Sequence, residues 1–161
     1  MVIKKYLISL LFFVLLSIFQ VYFKPSLVLA PFPNFLLIFL VYSLFSFSPF
    51  YVLFLSFLSA IILDSLGGIF WGMNFLLFSF ALGLGILAVK FFEKSHFLSR
   101  LIIGQLVIFS YFFGVFIINF LFKKPDLFFN VFLGFIITSF LYALLCLLTK
   151  NKKGNGKKSL Y

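Results

Sequence analysis

The sequence predicts an all-α integral membrane protein, with six transmembrane helices in a small bundle, and three observations carry that prediction. Hydrophobic residues make up 65% of the 161-residue chain and charged residues 10%, with a mean hydropathy of +1.28. A soluble fold of this size leaves much of its surface in water and could not hide so much carbon. Second, six apolar stretches alternate with short segments carrying proline, glycine or charge. In hydrocarbon each stretch must close its own backbone hydrogen bonds, and without the alternation of a barrel strand that means helix. Third, 13 Lys and Arg against 3 acids give a net charge of +10, and the cations gather in loops and at the ends. That pattern is a topology signal rather than a nucleic-acid surface.

The spans follow in order. The first covers about 6–23 between Lys4, Lys5 and Lys24. Its basic start, apolar stretch and Val28-Leu29-Ala30 look like a signal peptide, but Pro31 directly after Ala30 is a poor cleavage context and five more spans follow, so a retained anchor is expected. The second covers 34–47 after the Pro31-Phe32-Pro33-Asn34 turn, with Asn34 as its cap. The third covers 49–66, divided from the second only by Ser46 to Pro49, and the fourth 73–89, with Asn74 in the capping role. The fifth covers 97–122, ended by Pro125, and the sixth 127–148, with Asp126 in the capping role. Residues 1–149 form one membrane domain, and the basic tail 150–161 is expected to be disordered. Ten Lys and Arg fall on the side of the termini and three on the other, which places both termini in the cytoplasm. Fusing the second and third spans into a five-span protein would put one basic cluster outside, so six is preferred.

Chemistry-bearing residues are few. The 30 phenylalanines accompany abundant Ile, Lys, Tyr and Asn and scarce Ala, the composition of an AT-rich genome, and in lipid Phe does nearly the work of Leu. Cys146 sits alone in an apolar span. His96, Glu93 and Lys94 form a solvated loop. No paired carboxylates, metal-ligand spacing or phosphate loop occurs, so no enzyme, cofactor or metal is expected. Asp64 stands apart: it closes an apolar run and has no basic neighbour in sequence, where an ionisable group is costly. It is expected either to reach the free N–H groups near Trp71 to Asn74 across a turn containing Gly67, Gly68 and Gly72, or to anchor a partner helix or solute. Ser56, Ala60 and Asp64 lie on one helical face, and Ala81/Gly85, Ser79/Gly83 and Ser110/Gly114 repeat the spacing. Such small-residue stripes let helices approach closely.

Pro33 and Asn34 opening the second span, Leu63-Asp64 closing the third, then Gly68, Trp71-Gly72 and an apolar fourth span resemble the MreD family of rod shape-determining proteins. The resemblance covers nearly the whole chain, with its specific part at about 33–85. It implies a non-enzymatic inner-membrane component of the bacterial cell-elongation complex. The implied partners are a bitopic MreC-like protein and, around it, MreB, RodA and a class B penicillin-binding protein of side-wall peptidoglycan synthesis. The interface candidates are Pro33, Asn34, Ser56, Ala60, Asp64, Gly67, Gly68, Gly72, Ala81 and Gly85. The family's fold is similar to the substrate-binding subunits of energy-coupling-factor vitamin transporters, the alternative function. Against it, the first span has no alanine pair for docking a coupling protein, only Ser9 and Ser17, and the outer loops lack a polar pocket. A pore would need more polar lining than Gln20, Asn119 and scattered Ser and Thr provide.

Overall fold

The computed structural model describes residues 2–26, 33–66, 72–92, 96–122 and 128–154. They form six helices: α1 Val2–Ser26, α2 Phe35–Leu44, α3 Pro49–Leu66, α4 Met73–Phe91, α5 Phe97–Leu121 and α6 Phe128–Gly154. The fold is an all-helical bundle, and five of the helices are long and apolar enough to cross a membrane. Their outward faces are hydrocarbon: Leu7, Phe50, Phe80, Leu98, Phe120 and Phe140 are all exposed. This is a multi-pass membrane protein, in which the bilayer takes the place of a soluble protein's water.

The second helix departs from expectation. At ten residues it measures about 15 Å, half of the ~30 Å hydrocarbon core, so as a helix it covers only half of the crossing expected of 34–47; the chain still returns to the end where α1 begins, the Ser46 carbonyl accepting from Lys5 Nζ at 3.4 Å. Hydropathy cannot separate a short helix buried in protein from one facing lipid. Here the stretch is apolar because it is the core: Leu36, Leu37, Leu40 and Val41 are fully buried. Around α2 the five long helices form an arc in the order α1, α3, α4, α5, α6. Each packs on the next and all five on α2, while α1 and α6, the two ends of the arc, do not meet among the described residues. Only Phe35, Phe39 and Tyr42 of α2 are half-exposed; spaced i, i+4, i+7, they share one face, on which Phe39 meets Phe12 of α1.

Helix α6 also runs further than expected, through Gly154, so the first residues of the basic tail are helical. Lysines are good helix formers, and their charge suits a helix C-terminus. Residues 155–161, and with them the rest of the tail, lie outside the described residues.

Three glycines set the helix spacings. A Cβ on Gly104 of α5 would overlap the ring of Tyr142 on α6, one on Gly85 of α4 would press on Val107 of α5 and Leu44 of α2, and one on Gly114 of α5 would press on Leu77 of α4. Tyr142 is fully buried, and its hydroxyl donates to the Arg100 carbonyl at 2.8 Å. The small-residue positions thus meet within the bundle. Gly83 is the exception, with nothing near its missing Cβ.

At the end of the bundle carrying Lys4, Lys5, Lys90 and Arg100, here the basic end, α1 is clasped to α3. The Tyr51 hydroxyl donates to the Tyr6 carbonyl at 2.6 Å and shares a 2.7 Å hydrogen bond with Ser9 Oγ. The Tyr6 and Tyr51 rings meet edge to face at 4.6 Å.

Candidate functional site

The buried Gln20, Asn34, Asp64, Asn74 and Thr138 bond between helices, while Ser17, Ser43, Ser56 and Ser110 bond to carbonyls of their own helices. Asp64, two residues before the end of α3, is 3% exposed. Its Oδ2 accepts the Gly72 N–H at 3.0 Å, and its Oδ1 accepts the Asn74 N–H at 3.2 Å and Asn74 Nδ2 at 2.7 Å. An acid in the last turn of α3 faces the negative end of that helix's dipole, but here the amides that begin α4, the positive end of the next helix, receive it. Asp64 therefore caps α4 from another helix.

Asn74 was expected to cap α4 and does not. Gly72 holds the N-cap position, without a side-chain cap, at φ +88°, a left-handed conformation open to glycine and costly to residues with a Cβ. Asn74, second in the helix, turns its amide back onto Asp64. Its Oδ1 takes a long 3.5 Å contact from the Tyr111 hydroxyl of α5. Tyr111 stacks on the fully buried Phe78 at 5.1 Å, with the Asn34 side chain near its hydroxyl.

Asn34 is the second node. As the N-cap of α2 its Oδ1 accepts the Leu37 N–H at 2.9 Å. The same oxygen accepts Gln20 Nε2 of α1 at 2.9 Å, Gln20 Oε1 accepts the Leu36 N–H at 3.0 Å, and the Asn34 N–H donates to Thr138 Oγ1 of α6 at 3.1 Å. The start of α2 is a helix N-terminus sunk in the membrane interior, a place where transporters hold anions. In this chain Gln20 and Asn34 already occupy its amides. Two neighbouring hydrogen-bonded groups result, Gln20–Asn34–Thr138 and Tyr111–Asn74–Asp64, and every one of the six helices contributes to this layer or to its cap.

The depth of this layer follows from the helix ends. α5 continues ten residues past Tyr111 and α6 begins ten residues before Thr138, so both extend about 15 Å beyond it, while from Lys4 at the basic end to Gln20 is about 24 Å. The network lies in the half of the bundle away from the basic end. Asn34→Ala is expected to lower stability by about 2 kcal/mol, somewhat more than an ordinary cap because Gln20 loses its acceptor as well. Unfolding in mixed detergent micelles measures it.

Of the residues singled out in the sequence, Asn34, Asp64 and Gly72 belong to the network. Ser56, Ala60 and Ala81 are all 1% exposed or less, and Gly85 faces α5 and α2. None of these four lies on a surface that a partner could touch directly. Pro33 precedes the cap, its carbonyl accepting the Phe35 N–H at 3.1 Å. Gly67, Gly68, Glu93, Lys94 and the capping Asp126 lie outside the described residues. His96 is exposed at the N-cap position of α5, without a side-chain cap bond. Tyr111 and Thr138 were not singled out: a Tyr or Thr in an apolar span ordinarily satisfies itself or an interface. Gln20 had been weighed only as pore lining, although a lone amide in an apolar helix signals a buried partner. Among the described residues no cluster of His, Cys, Asp and Glu could hold a metal ion.

Comparison with protein-family models, with curated proteins and with solved structures finds no match to this chain.

Proposed function

We propose that this chain is a non-enzymatic membrane scaffold of the MreD type, a component of the bacterial cell-elongation complex that binds an MreC-like bitopic partner in the cytoplasmic membrane. On this reading both termini are cytoplasmic, in keeping with the ten-to-three division of Lys and Arg. The observation that carries the proposal is the engagement of Asp64. The acid buried in the bundle holds three N–H donors of α4, so the chemistry left facing outward is apolar helix surface, which recognises other membrane helices.

The partner's transmembrane helix is assigned to the seam between α1 and α6. There Phe39 and Tyr42 of α2 are half-exposed, and Phe39 meets Phe12 of α1 edge to face at 4.9 Å. A sixth long helix in that gap would complete the ring around α2. Van der Waals packing of this kind drives helix association in lipid, where no hydrophobic force acts between helices.

Cysteine cross-linking tests it. In a Cys146→Ser background, Phe39→Cys or Tyr42→Cys is expected to cross-link to cysteines placed in the transmembrane helix of a co-expressed MreC-like protein, and Leu87→Cys, on the outer face of α4, is not. Cross-links at Leu87 alone would move the interface, and absence of all of them together with recovery of a transporter ATPase would favour the vitamin-transport alternative.

A further inference from the structure

We propose that the basic end of α1 carries a binding site for an anionic phospholipid. An open hollow of about 470 Å³ lies there, lined by Lys4, Lys5, Ile8, Ser9, Phe12 and Phe47, within the roughly 300–1,000 Å³ range of small-molecule sites. Its walls are carbon: Ile8, Phe12, the Phe47 ring and the methylene stems of the lysines. Its rim is cationic. Lys5 is fixed by the protein, its ammonium 4.7 Å over the Phe47 ring and 3.4 Å from the Ser46 carbonyl. Lys4 is exposed beside it.

An apolar floor beside the Lys5 ammonium, with exposed Lys4 also lining it, at the end of a bundle whose sides are lipid-facing, matches an amphiphile with a negative head and hydrocarbon tails. A soluble anion would leave the floor unused, and a zwitterionic lipid would gain little from the rim. Basic pockets between membrane helices are recognised by anionic head groups for this reason. The amides that begin α1 add a favourable partial positive charge at the same place. The occupant is accordingly a phosphatidylglycerol-like or cardiolipin-like lipid. The site stands apart from the network around Asp64 and does not depend on the proposed partner.

Native mass spectrometry of the full chain in detergent, with dioleoyl phosphatidylglycerol or dioleoyl phosphatidylcholine added, tests the site. The phosphatidylglycerol adduct is expected to form preferentially, and the preference to fall about fivefold for each lysine neutralised in Lys4→Gln and Lys4→Gln/Lys5→Gln. Lys90→Gln, at the same end but outside the hollow, is expected to leave it unchanged. Ile8→Trp, which fills the hollow and keeps both lysines, is expected to abolish it, so the test stands even if the double variant misfolds. Millimolar inorganic phosphate is expected not to displace the lipid. Equal binding of the two lipids, a preference that survives both the lysine changes and Ile8→Trp, or displacement by phosphate would each overturn the proposal.

Discussion

Replacing Asp64 with alanine is expected to lower stability by about 3–5 kcal/mol, a large share of a small protein's total. Interhelical hydrogen bonds in membrane proteins average only about 0.6 kcal/mol, because the separated helices find other partners. The loss here exceeds that average because, among the described residues, Asp64 is the only acceptor of the Gly72 and Asn74 N–H groups and of Asn74 Nδ2. Alanine would leave donors unpaired in an apolar interior, at roughly 1–3 kcal/mol for each fully buried one. The favourable charge at the start of α4, about 0.3–1 kcal/mol, goes as well. Asp64→Asn keeps one acceptor oxygen but points an NH2 group at amide donors, so an intermediate loss is expected. Adding Asn74→Ala to Asp64→Ala is expected to cost little more, since the two act as a unit. Full additivity in unfolding titrations would show that the pair is not coupled.

Gly104→Ala is expected to be nearly as damaging, although it adds a single carbon. The new Cβ would overlap the ring of Tyr142, which is fully buried and held by its bond to the Arg100 carbonyl. Either α5 and α6 separate or Tyr142 swings out and loses that bond. Overpacking of this kind costs about 1–3 kcal/mol and the lost hydrogen bond roughly 1 more. The clash has a specific remedy: Gly104→Ala/Tyr142→Leu is expected to be more stable than Gly104→Ala alone. Gly83→Ala is the contrast. With nothing within 4 Å of its Cβ position, it is expected to stabilise α4 by about 0.5–1 kcal/mol, the ordinary helix preference of alanine over glycine. If Gly104→Ala and Gly83→Ala behave alike in thermal unfolding, the close approach of α5 to α6 is wrong.

What could be read in the sequence, and what could not, follows from the range of the forces involved. The five long helices were legible because hydropathy over about 20 residues is a local quantity. The break at Ser46 to Pro49 and the cap at Asn34 were legible for the same reason. The shortness of α2 was not: the stretch 34–47 is equally apolar whether lipid or protein surrounds it, and only the arc of the other five helices decides. Asp64 stood out as a costly residue, and the amides of α4 were among its expected partners because they lie within ten residues of it. Thr138, which meets Asn34 across 104 positions, left no local trace, and neither did Tyr111. The stripe of Ser56, Ala60 and Asp64 was visible as a stripe, but its periodicity could not say that it turns inward.

The polar layer around Asp64 is expected to hold the bundle together, with the proposed MreC-like partner binding on the outer faces. The most direct measurement compares Asp64→Asn with the unchanged chain, scoring the amount of folded protein in the membrane and the MreC-like partner recovered per folded molecule. Less folded protein but unchanged recovery per folded molecule is expected. Normal amounts of folded, equally stable protein that no longer retain the partner would contradict it, and would make Asp64 a recognition residue.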